Sequence, residues 1–285
     1  MIFTAERLQT LIGLSWKAYL NPETRFYPVF ASLEDLRDTF AKANEKGMIM
    51  YLEDKEEMGV LCLSAEVESH YLQANGGIIA LKDFERVAVE FEKRLIQNFT
   101  GFSFFTGYPS SNQRAIHFLE SHGYRCFDRM LRYEASCSAV SLKSDGAKFH
   151  RLSEGFYARF MEFHHRLNSQ MYWNAERIID HRQEWIVMVN DEAEQYRSSG
   201  ARLYEDGDQL MAEIYFVNDG PDEYASIDAL LVELQRCSVS SVLFLIDAEA
   251  TQCAEYCASL GFVLKDDYQG YMKVIGEVQV DEKQR

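Results

Sequence analysis

The chain has little proline and no surplus of positive charge. Only 4 prolines and 16 glycines occur in 285 residues, so no long proline- or glycine-rich linker separates its parts. Lys and Arg total 29 against 45 Asp and Glu, a net charge of −16, which argues against nucleic acid or an anionic membrane as the main partner. Long apolar runs are also missing. VLFLI at 242–246 has the length of a buried strand and falls far short of a membrane span. The opening MIFTAERLQTLIGLSWK shows early charge and no cleavage-site pattern, so the expectation is a cytoplasmic protein with reduced thiols. Six cysteines occur, but no Cys/His set stands at zinc-ligand spacing, and the metal expected is none. Cys253 and Cys257 lie four apart on one helical face, where packing accounts for them.

What is present is material for two cores: 47% hydrophobic residues, with 26% charged residues to keep the surface wet. That material repeats. NQRAIHFLESHGYRCFDRMLRYEA and ATQCAEYCASLGFVLKDDYQGYMKVI align when Gly123 is set against Gly261. Ala115 then faces Cys253, and Leu119 faces Cys257. Both segments carry apolar residues at i, i+3 and i+4, a glycine stop, and an aromatic that opens a strand.

The upstream parts correspond too. Phe84, Val87, Ala88, Phe91 and Leu95 form one helical stripe; Ile227, Leu230, Leu231 and Leu234 form the other. A short apolar strand follows each, at 102–108 and 241–247. Helices are expected over Ala5–Leu20, Leu33–Asn44, Glu154–Asn168 and Ala175–Glu184. The order in each half is two helices, three strands, helix, strand, helix, strand. The small, polar stretch SCSAVSLKSDGAKFH places the boundary, giving domains 1–140 and 141–285. The second opens on an extra strand, KFHRL, for which only MIF offers a first-half counterpart.

This order, with Asn112, Ala115, Gly123 and Tyr124 spaced as they are after Gly107-Tyr108-Pro109, resembles the GNAT superfamily of acyl-CoA N-acetyltransferases. The resemblance covers nearly the whole chain. It implies an α+β fold, two tandem GNAT-like domains, each a mixed sheet flanked by helices. It also implies a wedge between the fourth and fifth strands that admits the pantetheine arm of acetyl-CoA. The pyrophosphate would then lie on amides at the start of the following helix. The activity implied is direct attack of an amine on the thioester. The alternative is a non-catalytic GNAT-like protein that binds another ligand or partner, or that dimerises through its sheet edges.

The family's glycine-rich phosphate loop is absent from both halves. The first runs NGGIIALKDFERV straight into its helix, and Gly76 and Gly77 come early enough to mark a bulge instead. The second has NDGPDEYAS, whose Asp219, Asp222 and Glu223 would repel a pyrophosphate. The cofactor is therefore expected in the first half, on Gly76, Gly77, Ile78, Lys82, Asn112 and Ala115. The family's proton-donating tyrosine position holds Leu119 in the first half and Cys257 in the second, so Tyr124 and Cys257 are the acid candidates. Glu213, alternating with apolar neighbours on a strand, is the base candidate, and Tyr215 shares its face. Solvent exposure is the competing explanation for Glu213. Tyr71, Gln73, Tyr172 and Trp173 are candidates for the acceptor wall, and one of His164 and His165 at most can serve there. The acceptor expected is a small amine or a peptide.

Overall fold

The computed structural model describes residues 2–30, 32–54, 56–80, 82–143, 148–168, 171, 173–190, 196–218 and 224–276. The chain divides into two compact units, one of 1–129 with 267–285 and the other of 130–266. Each is a mixed sheet with helices against it.

The first unit begins with α1 (Ala5–Leu20) and α2 (Leu33–Glu45). Thr4 and Ser32 cap them, their side chains accepting from the amides of Arg7 and Asp35. Both helices turn an apolar face inward, with Leu11, Ala18, Leu36 and Phe40 fully buried. Strands β1 (Ile49–Asp54), β2 (Glu56–Glu66) and β3 (Tyr71–Ala80) follow as an antiparallel meander. Helix α3 (Phe84–Phe99) buries the stripe from Phe84 to Leu95 and crosses to β4 (Ser103–Tyr108), which runs parallel to β3. Helix α4 (Gln113–Ser121) and β5 (Arg125–Ser136) close the first half.

Ile2 and Phe3 form no strand. Asn44 pairs with Phe3 instead: its Oδ1 accepts from Phe3 N at 2.8 Å and its Nδ2 donates to Phe3 O at 3.1 Å. One side-chain amide thus satisfies the backbone that a neighbouring strand would have satisfied.

The second unit repeats the order. In the second half of the chain a two-residue strand β6 (His150–Arg151) comes first, followed by α5 (Tyr157–Asn168) and α6 (Ala175–Asp180). Both helices are shorter than the sequence pattern predicts, because 3-10 turns occupy Glu154–Phe156 and Arg182–Glu184. Then come β7 (Trp185–Asn190), β8 (Arg197–Asp206), β9 (Gln209–Val217), α7 (Ala225–Arg236), β10 (Ser241–Asp247), α8 (Thr251–Leu260) and β11 (Val263–Val274). Gly207 at φ 60° makes the tight β8–β9 turn. Two clusters of buried side chains fill this unit: one joins α7 and α8 to the sheet, and the other joins α5 and α6 to it through Phe160, Ile178, Trp185 and Phe216.

The final strands are exchanged between the halves. Met130–Ser136 of β5 pair antiparallel with β10 in the second unit, while Gln269–Val274 of β11 pair antiparallel with β4 in the first. All six cysteines are free. No described helix is long and apolar enough to cross a membrane, and no described group of acidic, His or Cys residues is placed to hold a metal.

Candidate functional site

Both units contain a gap between two parallel strands. In the first, β3 and β4 pair only from Tyr71–Gln73 to Ser103–Phe105 and then part. In the second, β9 and β10 pair from Met211–Ile214 to Ser241–Phe244 and then part. A bulge lies on the inner strand of each. The β2–β3 register shifts between Leu61 and Leu63, opposite Asn75–Gly77, with Gly76 at φ 119° and Gly77 at φ 65°. The β8–β9 register shifts between Gly200 and Ala201, leaving Tyr215 as the extra residue.

The two gaps hold different things. In the first, the Tyr108 hydroxyl accepts from Ile78 N at 2.5 Å and donates to Ile78 O at 3.3 Å. The ring is fully buried, and burial pushes its phenol up to about 12, so it stays protonated. Gly77 is where that ring needs space: a Cβ there would stand 2.7 Å from Tyr108 Oη. Arg114 Nη2 donates to Ala80 O at 2.6 Å, and its guanidinium lies 5.4 Å from the centre of the Phe84 ring. Side chains of the chain itself therefore satisfy the exposed backbone at the end of β3.

Asn112 is buried at the start of α4. Its Oδ1 accepts from Ala115 N at 3.3 Å and its Nδ2 donates to Arg25 O at 2.9 Å. It caps the helix and ties it to the segment after α1. Ala115 is fully buried beneath it, and Lys82 is exposed. Asp83 sits at the N-cap of α3 at φ 49° without a capping hydrogen bond from its side chain. Tyr124 packs in the core, its ring edge-on to Phe104 and Lys273 Nζ 5.0 Å from its centre. Burial holds its phenol well above the usual range. Tyr71 donates to Gln73 Oε1 at 2.9 Å and stacks on Phe105.

In the second unit the alignment that sets Gly123 on Gly261 sets Tyr108 on Ile246. Ile246 is buried and carries no hydroxyl. Asn218 N donates to Ser198 O at 2.7 Å across the ladder, so the alternation of an antiparallel pair turns the Val217 amide toward the gap. Beside the bulge lies a set of residues on one face. The Glu213 carboxyl is partly buried; burial raises its pKa against the opposing hydrogen bond from Tyr215 and the charge of Arg202. Burial, then the nearby Glu213 charge, raises the Tyr215 phenol. Trp185 lies 5.3 Å from Tyr215 and 5.4 Å from Trp173, ring centre to ring centre. Arg202 stands 4.7 Å over Trp173 and gives Nε and Nη2 to Glu184 Oε2 at 3.0 and 2.7 Å.

His164 holds this wall. It is fully buried, its Nε2 faces Trp173 O at 3.1 Å, and Asn168 Nδ2 lies 3.3 Å from its Nδ1. Asn168 continues to Asn218 Oδ1, and Asn218 to Ser198 Oγ. Burial lowers the His164 pKa, which favours the neutral ring. Cys257 is fully buried against Cys253, whose hydrogen bond is the main cause of a strongly raised thiol pKa. Tyr172 and the acidic Asp219, Asp222 and Glu223 lie outside the described residues.

Sequence reading brought Glu213, Tyr215 and Trp173 to notice, and the structure brings all three together. It missed Tyr108, Trp185, Glu184 and Arg202. Tyr108 had a signal, because it is the aromatic that follows Gly107 at the end of β4. Glu184 and Arg202 are 18 residues apart, and no local motif links them.

No protein-family model and no curated protein sequence matches the chain. Solved structures do. A GCN5-related N-acetyltransferase from Sphaerobacter thermophilus superposes with a TM-score of 0.65 at 13% identity, over 95% of this chain and 93% of its own. A tandem GNAT protein from the clavulanic acid biosynthesis pathway superposes with a TM-score of 0.55 at 9% identity, over 97% of this chain and 98% of its own. At such identities the likeness is one of fold. Taken with the paired gaps and bulges, it establishes that this chain carries the fold of the GCN5-related N-acetyltransferases twice, in tandem.

Proposed function

We propose that the chain is an acyl-CoA-dependent N-acyltransferase, with acetyl-CoA as the first donor to test. In this reading the chemistry takes place in the second unit. One observation carries it: a partly buried carboxyl, Glu213, with a raised pKa, sits beside a strand bulge and a gap whose inner strand turns an amide outward. Glu213 accepts the proton that the attacking amine must lose. The Val217 amide offers the backbone pairing that a pantetheine arm needs, and Trp173 and Trp185 wall the acceptor. Cys257 stands at the position of the family's acid. Its raised pKa makes it a poor donor, so the leaving thiolate takes its proton from water. The net charge of −16 favours a cationic amine as acceptor, and the six free thiols suit a reducing, cytoplasmic compartment.

The first unit is then a non-catalytic copy, since Tyr108 already fills its strand gap. That same observation supports a second reading, in which neither gap takes acyl-CoA and the chain is a GNAT-fold binding protein. The test installs the plug where it is missing. Acetyl-CoA should raise the Tm of the wild type by mass action. Ile246→Tyr should abolish the shift, while Glu213→Gln should keep it and lower acetyl transfer by about 10²-fold or more. No shift at millimolar acetyl-CoA would establish the second reading. A shift lost with Gly77→Val and kept with Ile246→Tyr would place the donor in the first unit.

A further inference from the structure

We propose that the second unit holds a separate ligand site, for a short aliphatic carboxylate, in the cavity between β6, β7 and α6. The cavity measures about 110 Å³. Its floor is apolar and buried, with Ile178, Trp185 and Val187 at 1, 2 and 3% exposure. Arg151 and Arg182 are among its lining residues, and none of the described lining residues is acidic. An apolar floor beside the Arg182 cation fits an anionic head on an apolar tail; either alone would be ordinary.

The two arginines are not equivalent. Arg151 Nη2 donates to Trp185 O at 3.5 Å, and its Nη1 lies 3.7 Å from Glu233 Oε1 of α7, so its guanidinium is held toward α7 and away from the ligand. Arg182 makes one long contact, Nη1 to Ile179 O at 3.5 Å, and no ion pair with any described residue. Its fork is available for a bidentate carboxylate. The volume limits the tail. At about 30 Å³ per water-sized group the cavity takes three or four such groups, which is a branched chain of about four carbons. The site is distinct from the β9–β10 gap, although Trp185 borders both the cavity and Tyr215.

The experiment titrates the whole chain with isovalerate and reads tryptophan fluorescence and calorimetric heat, with no acyl-CoA present. Its result is therefore independent of the acyltransferase reading. Saturable binding below about 10 mM is expected. The neutral alcohol 3-methylbutanol should bind at least about tenfold more weakly, as should inorganic sulfate, which lacks the tail. Arg182→Gln, at an exposed position, should weaken isovalerate about tenfold without moving the Tm. Ile179→Trp should abolish binding by filling the space. Sulfate binding as tightly as isovalerate would overturn the site in favour of a bare anion patch. Unchanged affinity in Arg182→Gln, or no binding of isovalerate at all, would overturn it outright.

Discussion

Glu213 shows how one residue can be held against its own charge. Burial raises its pKa, so the folded state binds a proton more tightly than the unfolded chain does. The stability this contributes is fully present below the ordinary glutamate range, near 4.3, and is lost as pH rises through the elevated value. Glu213→Gln stays neutral at every pH. It should therefore raise the Tm at pH 8 and leave it almost unchanged at pH 4; an equal gain at both would sink the argument. Acetyl transfer by the wild type should fall as pH drops through the same raised pKa, because a protonated base accepts nothing. Tyr108 makes the opposite case, a polar group that is fully satisfied. Tyr108→Phe removes the hydroxyl and strands the Ile78 amide in the core, at a cost of about 1–3 kcal/mol in urea unfolding. A cost below about 0.5 kcal/mol would mean that the ring only packs.

Among the elements, α4 was the most legible in the sequence, because its signals are local: an Asn cap, an apolar stripe and a glycine stop, all within a dozen residues. The structure adds that Asn112 works in two directions, holding Ala115 N and the Arg25 carbonyl at once. Asn112→Ala should cost about 2–3 kcal/mol, seen as a lower urea midpoint with an unchanged slope. Asn112→Ser, which restores the cap alone, should recover part of that loss. Elements whose partners are distant in sequence were harder to read. The strand partner of Phe3 is replaced by Asn44, more than forty residues away. The residues around Tyr215 are a similar case: Trp173 was visible beside Tyr172 as an aromatic, but its support by His164 and its cation Arg202 exist only once α5, β7 and β8 are assembled.

At the scale of the molecule, the repeat in the sequence announced two copies of one fold. It could not announce the exchange of last strands, because β5 and β11 carry similar patterns and either could lie beside either neighbour. Removing residues 263–285 should leave β4 without its antiparallel partner. Hydrogen exchange at Phe104–Tyr108 should then speed up strongly, while Ser241–Asp247, which keep β5, should stay protected. Equal loss in both segments would argue against the exchange. The exchange also sets a timetable. Residue 108 leaves the ribosome long before residue 269, and at about 5–20 residues per second the interval is roughly ten to thirty seconds. Through that interval β4 is an open edge, the kind of surface on which nascent chains stick to one another. The unit whose synthesis starts first is thus the one completed last, and slowing translation late in the message should lower the soluble yield more than slowing it early.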